Sequence, residues 1–574
     1  MGTLSHPVDA VLLALTPGLP LALALLGLMP ALRGLVFRLL PLAPIPGLLI
    51  AVVPPGRTLD LAWLLLGSRL GVDPATRVFA LLSGAVWLVG ALYTRQRMID
   101  DVRRTRFATW FLLTMAGNLG MIVAQDFYSL YLCYALMGFA AYGLVVHDGQ
   151  PASHRAGRVY LYLVVVAELA LFTAGILMVQ QAETPLLPEL AEAFSGNMAM
   201  ACVAVAFAVK AGALPLHYTL PLIYRRAPPA AGLVLAAAMI NAGLLGWWRL
   251  LPMGAEQLSG WGTAFLAAGL AAAFFGVAMG LFQRHPRALL AYSSISQMGL
   301  MTLTVGIALI APGQTEAALT AALVYALHHA LAKGALFMGI DVVPGLGGAG
   351  RRWAFAALLL PALALGGLPL TSGAAAKLTL TDAAEALPPP WPTLLHVLLP
   401  LAALGTTWLT LRFVGLLWRR HSTETPGAWT TGLWLLLVAG SALLIWLHPV
   451  NPVSPLATLS PDKLWTGLWP VAAGAVAAWA LLRHEARTAR PFQLPAGDIA
   501  YWTARGWRRL RPRYRGLRLP VERLYRWPER AGQWTAQRLG PRLLKGEARM
   551  TRWTAAGTAV LTVMALVTAI LALV

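Results

Sequence analysis

The chain has 574 residues, 58% of them hydrophobic and only 12% charged, with a formal net charge of +21. Apolar runs of about 18–25 residues recur from end to end, the length that crosses a bilayer as a helix. These proportions exclude a soluble multidomain protein, and the strand alternation of a transmembrane barrel is absent.

Sixteen spans are predicted in chain order, near residues 8–30, 35–53, 75–93, 107–124, 127–146, 159–180, 198–223, 229–250, 262–282, 288–310, 316–343, 354–380, 394–418, 429–447, 464–482 and 553–574. The fold class is an all-α polytopic membrane protein, because backbone polar groups in lipid must be satisfied within each segment. No basic leader with a small-residue cleavage site precedes the first span, so that span is read as retained. Arginines gather in loops after odd-numbered spans, as with Arg95, Arg97, Arg103, Arg104 and Arg106, or Arg225 and Arg226. Loops after even-numbered spans are acidic or neutral, except the one with Arg57 and Arg69. The positive-inside rule then sets the odd loops in the cytoplasm and both termini outside a bacterial-type inner membrane.

Between Arg483 and Arg552 there are 18 Lys and Arg against 5 Asp and Glu. Six prolines interrupt this segment, and Trp and Tyr alternate with its arginines, as in "DIAYWTARGWRRLR". That composition predicts an interfacial arm lying on anionic lipid, and it excludes nucleic acid as the partner of the excess charge. Cys133 and Cys202 both lie inside apolar runs with no CxxC spacing, so ligands for iron–sulfur or zinc centres are lacking. "GLGGAG" (345–350) fits GxGxxG but has no strand before it, which removes the dinucleotide reading. No cofactor is expected on this chain; a quinone elsewhere in a complex stays open, since quinone pockets are mostly apolar.

Two spans are interrupted. "KAGALPLHYTLPLIY" carries Pro215 and Pro221, and "LGGLPLTSGAAAK" carries paired glycines and Pro369. At membrane depth such breaks are tolerated where the freed backbone faces protein or water. Paired breaks suggest two inverted five-helix repeats, at 107–250 and 262–418. The flanking divisions are 1–106, additional helices at 429–482, the basic arm at 483–552 and a terminal helix at 553–574.

The chain has 39 arginines but five lysines: Lys210, Lys333, Lys377, Lys463 and Lys545. Arginines keep to the ends of the spans, whereas Lys210, Lys333 and Lys377 lie within them. A buried lysine exchanges its proton readily and an arginine does not. An intramembrane lysine is also costly, at about 2.5–3.5 kcal/mol on insertion scales, so three of them point to a proton or cation path. In "ALVYALHHALAKGALFMGI", Tyr325, His329 and Lys333 fall at i, i+4 and i+8, one polar stripe on a helix. His328 lies about 100° round from His329 and is read as a local hydrogen-bonding residue. His217 lies in the first break. Glu168 is the one acid deep in an early span, a candidate to tune a lysine from another helix, while Asp126 and Asp341 sit at span ends.

The segments "AFAVKAGALPLHYTLPLIYRRAPPAAGLV", "RALLAYSSISQMGLM", "HHALAKGALF" and "GGLPLTSGAAAK" resemble the core motifs of the antiporter-like subunits of respiratory complex I and of Mrp-type cation/proton antiporters. The late basic segment and last span resemble the largest of the complex I subunits of this type, although prolines break the arm here. The resemblance implies a central axis of lysines, with Lys210 as the broken-helix lysine, Lys333 as the central one beside His329, and Lys377 as the terminal one. Two positions depart from the pattern. The glutamate expected in the fifth span is Ala135, which Glu168 one span later is placed to replace, and the titratable residue of the eighth span is Leu235 or Asn241.

A proton-translocating subunit of a larger membrane complex follows, with other integral membrane subunits as partners, protons or Na⁺ as the ion, and a redox or ion-exchange reaction as the drive. An NADH-quinone-oxidoreductase-like translocase is the nearest such complex. The alternative is the membrane subunit of an inorganic-carbon accumulating complex, which "INAGLLGWWRLLP" resembles, paired with a cytosolic zinc protein resembling a carbonic anhydrase. The expected path enters at the first broken helix, loads Lys210, passes by water and His329 to Lys333, reaches Lys377 and leaves at the second break.

Overall fold

The computed structural model describes residues 7–193, 196–255, 257–447 and 453–487. The arm beyond residue 487 and the sixteenth predicted span lie outside the described residues. Thirteen helical segments among the described residues are long and apolar enough to cross a membrane. The predicted twelfth and fourteenth spans are helical too, but the twelfth is split in two and the fourteenth has a shorter apolar stretch.

The first span is α1 (Pro7–Leu26). The second is a chain of short pieces, among them α2 (Arg33–Leu39) and α3 (Ile45–Ile50). Pro41, Pro44 and Pro46 explain the fragmentation, since each removes a backbone donor. A two-stranded antiparallel hairpin follows, β1 (Thr58–Leu61) and β2 (Ser68–Gly71). This hairpin is the loop that broke the charge alternation, and its arginines are paired: Arg69 lies 2.5 Å from Asp60 and Arg57 lies 3.3 Å from Asp9. Helix α4 (Pro74–Arg97) opens on Asp73, whose carboxylate accepts from Thr76 N–H at 2.6 Å, with Pro74 at the first helical position.

The first group of helices comprises α5 (Arg104–Val123), α6 (Phe127–Val145), α7 (Pro151–Ala182) and a short α8 (Leu187–Glu192). Next come α9 (Asn197–Ala211), α10 (Thr219–Arg226), α11 (Pro229–Val234) and α12 (Asn241–Leu250). Asp126 caps α6 by accepting from Ser129 N–H at 2.8 Å, which accounts for an acid at that span end. The first break separates α9 from α10, with Gly212 at φ +66°, a left-handed helix end that favours glycine. Between α11 and α12 the chain makes a π-turn, Leu235–Met239.

The second group is α13 (Ser259–Leu281), α14 (Pro286–Ile310), α15 (Thr315–Val342), α16 (Gly348–Gly366), α17 (Ser372–Ala384) and α18 (Trp391–Trp418). Gly262, Gly269 and Gly276 recur every seven residues on α13, and a Cβ at any of them would meet α14 at 2.4–2.6 Å. This seam of small residues lets the two backbones approach closely, the usual basis of helix association in lipid. The second break separates α16 from α17, with Gly367 at φ +89°. Two more helices follow, α19 (Ala428–Leu447) and α20 (Pro461–Arg487). The most apolar stretches of 229–250, 286–310 and 312–345 are entirely buried, so α12, α14 and α15 form the centre.

Two buried arginines tie this frame together at helix ends. Arg249 on α12 donates to the carbonyls of Met121, Ile122 and Ala124 at 2.5–2.9 Å, at the end of α5, and pairs with Asp73 at 3.2 Å. Arg412 on α18 donates to the Gln283 carbonyl after α13 and pairs with Glu485 of α20 at 2.6 Å. Replacing Arg249 by methionine leaves three carbonyls and Asp73 without their cation. We expect a loss of about 3–5 kcal/mol, read as a lower unfolding midpoint of the purified protein in detergent.

Candidate ion-translocation site

Lys210 lies in the last turn of α9, just before the first break, where a cation complements the helix dipole. Its Nζ is buried, makes no hydrogen bond, and sits 4.6 Å from the centre of the Tyr134 ring on α6. Glu168, on α7, presents two buried carboxylate oxygens that also make no hydrogen bond. The two charges act on each other. Gly138 of α6 lies between them: a Cβ there would stand 2.6 Å from Lys210 Nζ and 3.3 Å from Glu168 Oε1. Tyr134 and Tyr160 frame this contact, their hydroxyls donating to the Ala206 and Gly138 carbonyls at 2.7 and 2.9 Å. The predicted acid of an early span is thus brought to the predicted lysine of the first break, and Ala135 takes no part in the contact.

His217 lies in the first break, between α9 and α10, and is fully buried. Its ring stands 4.8 Å from that of Phe275 on α13, so the first break packs against the second group of helices. Asn241 is likewise buried. Its amide donates to the Ala237 carbonyl at 2.8 Å within the π-turn, while its Oδ1 has no hydrogen bond. Tyr224 reaches the same turn, donating to the Leu235 carbonyl at 3.0 Å. π-turns inside α-helices recur at functional sites because they free backbone carbonyls. Sequence reasoning placed Leu235 and Asn241 here as non-titrating residues; it had no signal for the turn itself.

On α15, Tyr325 donates to Gln297 Oε1 of α14 at 3.0 Å, and Lys333 donates to the Leu290 carbonyl of α14 at 3.2 Å. His329 lies between them in the i, i+4, i+8 stripe, buried with neither ring nitrogen hydrogen-bonded. Gln297, which sequence reasoning did not single out, also donates to Thr406 of α18 at 3.1 Å. His328 turns to another neighbour, its Nδ1 lying 2.7 Å from the Ser372 hydroxyl at the start of α17. Lys377 reaches back across the second break and donates to the Gly366 carbonyl at 2.5 Å, the last residue of α16. It lines a cavity of about 90 Å³ with Gly367, Pro369, Thr381 and, from α20, Lys463. Asp341 pairs with Arg287 at 3.3 Å and accepts from Tyr93 at 3.2 Å, so it is committed at the end of α15. No cluster of His, Cys, Asp and Glu suited to a metal ion occurs among the described residues.

The described residues thus form a polytopic helical fold with two broken helices and buried lysines, histidines and one acid beside them. Residues 124–399 match the family described as NADH:quinone oxidoreductase/Mrp antiporter, TM. Hydrogenase-4 component B of Escherichia coli (strain K12) is 25% identical over 332 residues, covering 53% of this chain and 49% of that protein. NADH-quinone oxidoreductase subunit N of Desulforudis audaxviator is 28% identical, covering 54% of this chain and 64% of that one. The chain spans about half the length of the first curated relatives it matches. The Mrp complex from Dietzia sp. DQ12-45-1b shares the fold, with TM-score 0.70 at 22% identity over 88% of this chain and 60% of that chain.

The Lys210–Glu168 contact is open to a direct check. A double-mutant cycle with Lys210→Met and Glu168→Gln, followed by unfolding in detergent, should return an interaction free energy of about 0.5–3 kcal/mol. Gly138→Ala should cost about 1–3 kcal/mol in the same assay, because the added methyl displaces the amine.

Proposed function

We propose that this chain is a proton-translocating subunit of a multi-subunit membrane complex, and that Lys210, Lys333 and Lys377 carry the proton in that order or its reverse. One observation supports the reading above all. The buried polar atoms that make no hydrogen bond with protein include Glu168 Oε1 and Oε2, Lys210 Nζ, Asn241 Oδ1, both nitrogens of His329 and Nε2 of His328. These residues belong to elements packed one against the next, from α7 and α9 through α12 to α15. Buried polar groups need partners, and in a polar interior water supplies them. Glu168, Lys210, His328 and His329 among them can hold or pass a proton.

The steps follow from charge. Glu168 stabilises the ammonium form of Lys210, and weakening that attraction releases the proton towards α12 and α15. A proton arriving through His329 converts the Lys333 amine to an ammonium, which repels a charge on the next site. Each transfer changes the proton affinity of its neighbour, so the groups titrate as a linked set. At the far end Lys377 opens on the cavity beside the second break. Amines and imidazoles exchange protons and do not bind alkali cations, which favours the proton over Na⁺. The partner reaction, redox or ion exchange, lies in the other subunits.

Two measurements test this. Affinity purification from the native membrane in mild detergent should bring further integral membrane subunits with the chain; recovery of the chain alone sinks the assignment to a complex. In proteoliposomes holding the intact complex, Lys333→Ala should lower driven proton flux by at least about tenfold. Flux equal to that of the unaltered complex would remove Lys333 from the path.

A further inference from the structure

The two adjacent histidines of α15 stand in different surroundings. The charges acting on His329 are those of Lys333 and His328, whereas His328 feels Lys377 as well as Lys333. Its titratable neighbours also include His329, next in the chain, and Tyr325, whose ring centre lies 6.2 Å away. The start of α17 packs directly on His328: a Cβ at Gly373 would lie 3.1 Å from its Cε1. His328 therefore joins α15, which carries Lys333, to the start of α17, which carries Lys377.

The hydrogen bonds around Ser372 fix the state of this ring. The Ser372 hydroxyl donates to the backbone carbonyl of Ser441 on α19. A carbonyl only accepts, so the single hydroxyl proton of Ser372 is committed there. The Ser372 oxygen can offer His328 only a lone pair, so the hydrogen shared across the 2.7 Å contact belongs to Nδ1. A neutral imidazole carries one N–H, which leaves Nε2 as a bare lone pair. Nε2 is buried and has no protein partner. The tautomer assignment rests on this hydrogen-bond accounting.

We propose that His328 relays the proton between Lys333 and Lys377, with Ser372 and the Ser441 carbonyl locking its ring so that Nε2 is the working nitrogen. The inference rests on the path proposed above and assigns its last internal step. An N–H bond breaks at the Lys333 ammonium as one forms at Nε2, through water, giving an imidazolium and a neutral Lys333. Nε2 then releases the proton to the Lys377 amine. Nδ1 keeps its hydrogen throughout, so the ring returns to its starting tautomer without rotating. The reverse direction uses the same bonds. Ser372 is a positioning residue and exchanges no proton with the path.

The test uses the intact complex in proteoliposomes with an entrapped pH-sensitive dye. His328→Asn keeps a donor for Ser372 but cannot hold an extra proton, and it should lower flux by at least about tenfold. Ser372→Ala should lower flux and move the pH profile, because the ring is then free to take either tautomer, while Ser372→Thr restores both. Wild-type flux in His328→Asn, together with loss of flux in Lys333→Ala, overturns the relay and leaves the lysine path standing. Wild-type flux in Lys333→Ala overturns the path itself and the relay with it. Nitrogen-15 spectra of the histidine-labelled, unaltered complex give a readout that needs no folded His328 variant. The resonance that shifts in Ser372→Ala should be that of a neutral ring protonated at Nδ1; protonation at Nε2 instead overturns the assignment.

Discussion

Backbone carbonyls inside a membrane must find donors, and this constraint governs where the buried cations go. A helix that ends at membrane depth leaves its last carbonyls without intrahelical partners. Arg249 supplies donors to three carbonyls at the end of α5, Arg412 does so after α13, and Lys377 does so at the end of α16. Lys333 serves a carbonyl within α14. Each cation is thereby held by the polar group it satisfies, and the helices are held by the cations.

The same role is filled by two chemistries. The arginines are paired with Asp73 and Glu485 and stay charged, so their bonds are permanent fixtures of the frame. Among the described residues, Lys210, Lys333 and Lys377 are hydrogen-bonded to no carboxylate; Lys210 and Glu168 face each other without a hydrogen bond. An amine in that setting can give up its proton, and the carbonyl it served can turn to water. The division between fixed and exchangeable cations follows the division between Arg and Lys.

Much of this could be read from residue types. Three lysines inside apolar spans, the stripe Tyr325, His329, Lys333, and the proline and glycine breaks are local patterns, and the structure places them in buried helices and at two real breaks. What the sequence hid depends on neighbours far along the chain. Glu168 meets Lys210 because Gly138, on a third helix, has no side chain to separate them. Arg57 and Arg69 spoiled the charge alternation because their carboxylate partners were not visible in a loop of ordinary composition. The π-turn before Asn241 and the serine pair behind His328 are hydrogen-bond arrangements with no signature in periodicity. The second span looked continuous by hydropathy, which does not weigh its prolines.

The loop of the second break has a further property. Leu370, a left-handed residue at φ +63°, is fastened on both sides of its peptide unit. Its N–H donates to Thr458 at 3.1 Å and its carbonyl accepts from Trp446 of α19 at 3.2 Å, while Pro369 rests on Gly467 of α20. The bend beside Lys377 is therefore riveted to two helices, α19 and α20, outside residues 124–399. The far end of α20 carries Glu485, paired with Arg412 of α18, so the same helix ties the bend to the frame at its other end. A displacement of α20 would reach the bend beside Lys377 mechanically, without any charge having moved.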